Sequence, residues 1–280
     1  MDINVLIKNL ENSIKNDDLI LPTLPKIAMK VRQACDDLES TINILVDIIS
    51  KDPALSARIV KYSNSAFMRR GNAQRIESLN IAISRIGLDQ LRTIATAMAM
   101  EQLFISSHKI ISEKISKTWK TSTEVAAMST AFLKFYKDNH KTDLSQEEML
   151  LKGLLYNIGA LPILTEAERK EGDLLKENVL NYCINKYSNI IGYKILKSWH
   201  FSESMQKTIY NWSNFDFKPE KVDYIDFIRM AYVTLNLADS RFNKESFYEE
   251  MLSKGIISDV NFSNTPEFQE LYKNLLIAYS

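Results

Sequence analysis

Asp52-Pro53-Ala54-Leu55-Ser56-Ala57-Arg58-Ile59-Val60 is the stretch that decides the fold class. Asp52 can accept a backbone N–H as an N-cap, and Pro53 at the first helical position forfeits no hydrogen bond. Behind that start, small Ala54, Ser56 and Ala57 let another helix come close. Asn64 is expected to end the helix in a left-handed conformation. A helix so sharply bounded sets the pattern for its neighbours on both sides.

Toward the N-terminus, Ile3, Leu6, Ile7, Leu10 and Ile14 recur at helical spacing and predict an opening amphipathic helix. Leu21-Pro22-Thr23-Leu24-Pro25 breaks it, because a residue before proline is pushed to extended geometry. Pro25 suits the first turn of the next helix, with Ile27, Val31 and Ala34 as its inner face. Ser40 or Thr41 can cap a third, carrying Ile42, Leu45, Val46 and Ile49. In the other direction, Leu79, Ala82, Ile83 and Ile86 predict a helix ended by Gly87, and Leu88 starts a longer one through Met98. The apolar period continues from Ile111 to Tyr136. Ser145 with Glu148 forms a capping box before a helix over Met149–Ile158. Further helices are predicted at Glu177–Ile184, Ile190–Trp199, Glu203–Trp212, Tyr224–Phe242 and Pro266–Ala278. Only 7 glycines and 6 prolines among 280 residues argue against a many-turned β architecture. The reading is all-α, with an N-terminal lobe to about residue 105 and a second lobe beyond it.

Charge narrows the partners. The 35 basic residues balance the 35 acidic ones, so no global field draws nucleic acid or an anionic membrane. No stretch approaches the roughly 18 apolar residues of a membrane span, and Met1-Asp2-Ile3-Asn4-Val5 lacks a secretory leader. Cys35 and Cys183, each in a helix-like pattern, read as reduced packing cysteines of a cytoplasmic protein.

Several motifs together resemble the HDOD domain, the "HD-related output domain" of bacterial signalling, related to HD and HD-GYP phosphohydrolases. They are Leu21–Pro25, Ile49–Arg58, Asn64-Ser65-Ala66-Phe67, Ala82–Leu88 and Gly153-Leu154-Leu155-Tyr156-Asn157-Ile158-Gly159. The resemblance covers residues 14–215 and leaves 216–280 as a C-terminal helical extension, expected to pack on the HD-like lobe. It implies a multi-helical HD-domain-like fold and a regulatory or output role.

HD-type hydrolysis needs imidazoles and carboxylates to hold divalent ions that activate water. Matched residue by residue, the resemblance places Thr121 where a histidine would follow the tryptophan, and Tyr156 and Asn157 at the His-Asp pair. A further histidine falls near Ser188, and a tandem pair near Trp212 and Ser213. Only Asp239 matches a carboxylate of that pattern. One carboxylate and a neutral amide are not a transition-metal donor set, so neither a metal nor any other cofactor is expected, and no catalytic residue is assigned. His108, His140 and His200 are scattered, and His200 suits a helix end, where an imidazolium complements the dipole.

Between Lys51 and Arg92 eight basic residues face three acidic ones, a surplus of about five charges. Arg58, Lys61, Phe67, Arg69, Arg70 and Arg75 are therefore the candidate partner-binding residues. Ile83–Leu91 around Gly87 could pass for a helix-turn-helix. Its second helix, however, turns apolar and offers few side chains to base edges, so DNA reading is not expected. The expectation is a non-catalytic regulatory protein acting through protein partners, at the basic face or a groove between the lobes. A divergent metal-dependent phosphodiesterase is the alternative, and a nucleotide sensor without hydrolysis the second one.

Overall fold

The computed structural model describes residues 8, 11–14, 16, 20–65, 68, 75–106, 109–170 and 177–279. Among the described residues the regular structure is helical, with no strand. In chain order the helices are α1 (Lys26–Asp36), α2 (Ile42–Ile49), α3 (Pro53–Ser63), α4 (Leu79–Ile86), α5 (Leu88–Ala99), α6 (Lys109–Asn139) and α7 (Gln146–Leu155). They continue as α8 (Ala160–Lys170), α9 (Glu177–Ser198), α10 (Glu203–Asn211), α11 (Tyr224–Thr234), α12 (Lys244–Ser253) and α13 (Pro266–Tyr279). The opening helix expected over Ile3–Ile14 lies mostly outside the described residues; Glu11–Ile14 are helical.

The local start and stop signals act as their chemistry requires. Asp52 Oδ1 accepts the Leu55 N–H at 3.0 Å, and Thr41 Oγ1 accepts that of Ile44 at 3.4 Å. Ser145 Oγ accepts the Glu148 N–H at 3.0 Å to start α7. Gly87, at φ +83°, divides α4 from α5 in a conformation that an L side chain resists. Asn64 departs from expectation: its φ is −95°, not left-handed. Its amide instead pairs with Ile76 like a short strand, donating to the Ile76 carbonyl at 2.6 Å and accepting the Ile76 N–H at 2.8 Å. The inner face of α1 is Ala28, Val31 and Ala34, with Ile27 only half-buried.

The chain divides into two units, each assembled from separate stretches. One comprises Met1–Leu24, Glu101–Ser122 and Leu154–Lys218; the other comprises Pro25–Met100, Thr123–Gly153 and Pro219–Ser280. The expected single boundary near residue 105 therefore has a counterpart at Met100–Glu101, but the chain changes unit four times more. Periodicity cannot show this, because α6 and α7 run unbroken through two of the changes.

In the first unit, α9 packs on α8 and α10. In the second, α5 packs on α1 and α3, and α4 sits against α2 and α3. The C-terminal segment joins this second unit. Phe268 meets Phe132 of α6 at 4.5 Å between centroids, Phe227 meets Tyr136 at 5.5 Å, and α13 also rests on α3. The extension thus packs on N-terminal helices as well as on the α6 half assigned to the HD-like lobe.

Candidate functional site

Gly159 sets the geometry of the HD-like site. It lies in the turn between α7 and α8, and a Cβ there would stand 1.9 Å from the Ser188 carbonyl oxygen and 2.6 Å from Gly192 N. Only a glycine lets this turn settle onto α9. Gly192 repeats the logic one layer on, where a Cβ would come within 2.9 Å of the Ile209 side chain on α10. Ser188, buried on α9, therefore serves the crossing through its backbone.

Tyr156 follows α7 directly, and Trp212 ends α10. Both are buried, and their rings meet edge to face with centroids 4.8 Å apart. The residues expected from the resemblance at or near two histidine positions of the HD pattern thus meet in an aromatic contact. Asn157, half-buried beside Tyr156, accepts the Ala160 N–H through its carbonyl at 3.0 Å and so helps close the turn. Thr121 is half-buried within α6. The buried hydroxyl of adjacent Ser122 has no hydrogen-bond partner among the described residues, but a neutral alcohol is a weak donor to a transition metal.

Asp239 belongs to the other unit, in the chain after α11. That helix ends at Thr234, well short of the expected Phe242, because Asn236 turns left-handed at φ +56°. Asp239 Oδ1 accepts both the backbone N–H and Nε of Arg241, at 2.9 and 3.0 Å. The Arg241 bonds hold its carboxyl below the usual aspartate range. This carboxylate closes a surface turn.

As a donor set for a divalent ion these residues do not fit. Tyrosine and tryptophan rings are packed against each other, Asn157 is a neutral amide, and Asp239 is engaged by a guanidinium. Among the described residues no group of three or more His, Cys, Asp or Glu side chains is arranged to hold a metal. The thiols are not poised for chemistry either: burial pushes Cys35 up to about 11 and raises Cys183.

Of the candidate partner-binding residues, Phe67, Arg69 and Arg70 lie outside the described residues. Arg58 Nη1 donates to the Met98 carbonyl at 3.4 Å, which ties α3 to the end of α5. Arg85 and Arg92 of the same basic segment are likewise engaged, on the Ser63 carbonyl at 3.2 Å and on Asp36 at 2.6 Å. Lys61 and Arg75 are exposed and line one groove of about 750 Å³. Its apolar wall includes Val60, Leu79 and Ile277, and Glu77 is its acidic residue. The contribution of Ile277, more than 200 residues along the chain from α3, has no signal in local sequence. Asn189 was also missed: it donates to the Tyr210 carbonyl at 3.1 Å and to Ser213 Oγ at 2.7 Å, fastening the turn that carries Trp212.

The HDOD domain profile matches residues 21–215. Among solved structures, a candidate metal-dependent phosphohydrolase from Shewanella amazonensis SB2B is 34% identical with a TM-score of 0.92, covering 99% of both chains. An HDOD domain protein of unknown function from Geobacter sulfurreducens has 18% identity and a TM-score of 0.61 over 98% of both chains. A candidate signal transduction protein from Marinobacter aquaeolei VT8 has 16% identity and a TM-score of 0.58, covering 99% of this chain and 66% of its own. At such identities the last two share the fold. The chain spans 45% of the length of the curated Treponema pallidum (strain Nichols) relative it matches, at 21% identity over 245 residues. With the HDOD profile matched across most of its length and a full-length fold to go with it, the chain belongs to the HDOD domain family.

Proposed function

We propose that this HDOD protein is a non-catalytic regulator in signal transduction that works by docking another protein onto the basic groove beside α3. The observation that supports the reading is the Tyr156–Trp212 ring pair, 4.8 Å between centroids, at positions where the family resemblance expects imidazoles. With strong donors missing from those positions, recognition is the work the scaffold can still do. The name of the Marinobacter neighbour and the role implied by the HDOD family agree with a signalling function.

Lys61 and Arg75 on an apolar wall suit a partner segment that presents carboxylates beside aliphatic side chains. The name of the Shewanella relative favours the enzyme alternative, a divergent metal-dependent phosphodiesterase. The test is to identify a partner by capture in the native host, purify it, and measure its affinity for wild type and for Lys61→Glu/Arg75→Glu. Both residues are exposed, so the fold should persist, and the double reversal should weaken binding by about tenfold or more. Equal affinities would remove the groove from the account. Turnover of a generic phosphodiester with added manganese would remove the non-catalytic reading.

A further inference from the structure

Another cleft, built wholly within the unit that holds Tyr156 and Trp212, is used by nothing above. It measures about 690 Å³ between the end of α9 and α10, with Tyr193, Lys197, His200, Lys207 and Tyr210 in its lining. That volume suits a small organic ligand. Tyr193 and Tyr210 meet edge to face with centroids 5.6 Å apart, and Tyr210 keeps 47% of its surface exposed. Lys197 Nζ lies 6.0 Å from the Tyr193 ring centroid and Lys207 Nζ lies 5.7 Å from that of Phe217. Glu203 is the one carboxylate in the lining, so the cleft is net basic. A smaller cavity of about 430 Å³ shares Tyr193 and Lys197 and adds Lys194, extending the basic strip.

His200 gives a second sign. It occupies the left-handed position after α9 at φ +55°, with its N–H on the Lys197 carbonyl and the Phe201 N–H on that of Leu196. Glycine fills such a position without strain, whereas histidine adopts it at a conformational cost. The rim beyond is fixed by Gln206 Nε2 on the Phe201 carbonyl at 2.7 Å and by Ser202 capping α10 at 3.3 Å.

We infer that this cleft binds a nucleotide, with the base stacked on the exposed face of Tyr210 and the phosphate held by Lys197, Lys207 and His200. An inorganic anion has no use for the tyrosine faces, and an apolar ligand has none for the ammonium groups. A base carrying a phosphate uses both. The inference is independent of the partner-docking proposal, which concerns the other unit.

Calorimetric titration of the full chain with the four ribonucleoside monophosphates, cyclic dinucleotides and inorganic phosphate tests it. At least one nucleotide is expected to bind saturably, and more tightly than phosphate. Tyr210→Ala should weaken that nucleotide about fivefold to a hundredfold. Lys197→Gln should weaken it as well, and Tyr182→Ala, a similarly exposed ring on α9 outside the cleft, should leave it unchanged. Silence across the panel, phosphate binding as tightly as any nucleotide, or indifference to both cleft variants would overturn the inference.

Discussion

Lys152 is buried on α7, with Nζ 3.7 Å from Glu148 Oε2 and 4.2 Å above the centroid of the Tyr224 ring. The desolvation of burial outweighs the nearby Glu148 and Asp223 charges and lowers the lysine's pKa from 10.5 to about 8. That fall corresponds to about 3 kcal/mol set against the folded state while the lysine is charged. Unfolded chains hold this proton more tightly. Between pH 8 and 9 the unfolded state therefore carries more protons and stability rises with pH; above pH 9 the Cys35 and Cys183 thiols, raised by burial, ionise only in the unfolded chain and oppose the rise. Above about pH 10 the trend reverses, since burial raises Tyr62 and Tyr224 and only the unfolded tyrosines ionise. Lys152→Met keeps the volume and removes the buried charge, while exposed Glu148 needs no partner. It should stabilise the protein at pH 7 by about 1–3 kcal/mol and flatten the rise from pH 8 to 9. Urea unfolding at several pH values measures both; a less stable variant that keeps the same pH slope would contradict the assignment.

At the scale of elements, the crossing of the α7–α8 turn on α9 is the least tolerant point. Gly159→Ala would drive a Cβ to 1.9 Å from the backbone oxygen of Ser188, an obstacle with no flexible end to swing away. A loss of about 3 kcal/mol or more is expected, because helix backbones must separate. A melting temperature within a degree of wild type would refute that close approach. Elements governed by adjacent residues were legible: Asp52 and Thr41 cap, Pro53 opens, and Gly87 stops. Those governed by distant partners were not. The clamp of Asn64 on Ile76 spans twelve residues and replaces the expected left-handed stop. Helix α8 was not predicted; it carries Pro162 in its first turn, where proline is tolerated. Helix α12 was not predicted and lies just beyond the expected end of α11 at Phe242, with Asn243 Oδ1 accepting the Ser246 N–H as its cap.

For the whole molecule, the sequence resemblance proposes positions for a degenerate site but says nothing of how they assemble. Tyr156 and Trp212 are far apart in the chain, and their ring contact follows from α10 packing on α9 beneath the Gly159 turn. Nor could sequence show that Arg58 and Arg85 bond to backbone carbonyls and Arg92 to Asp36 at the surface, while Lys61 and Arg75 line a groove. The claim on which the functional account stands is that aromatic packing has replaced metal ligation. Elemental analysis after equilibration with excess manganese and exhaustive dialysis tests it most directly. The account predicts far less than one ion per chain; one or two ions per chain, removed by chelator together with phosphodiester turnover, would contradict it.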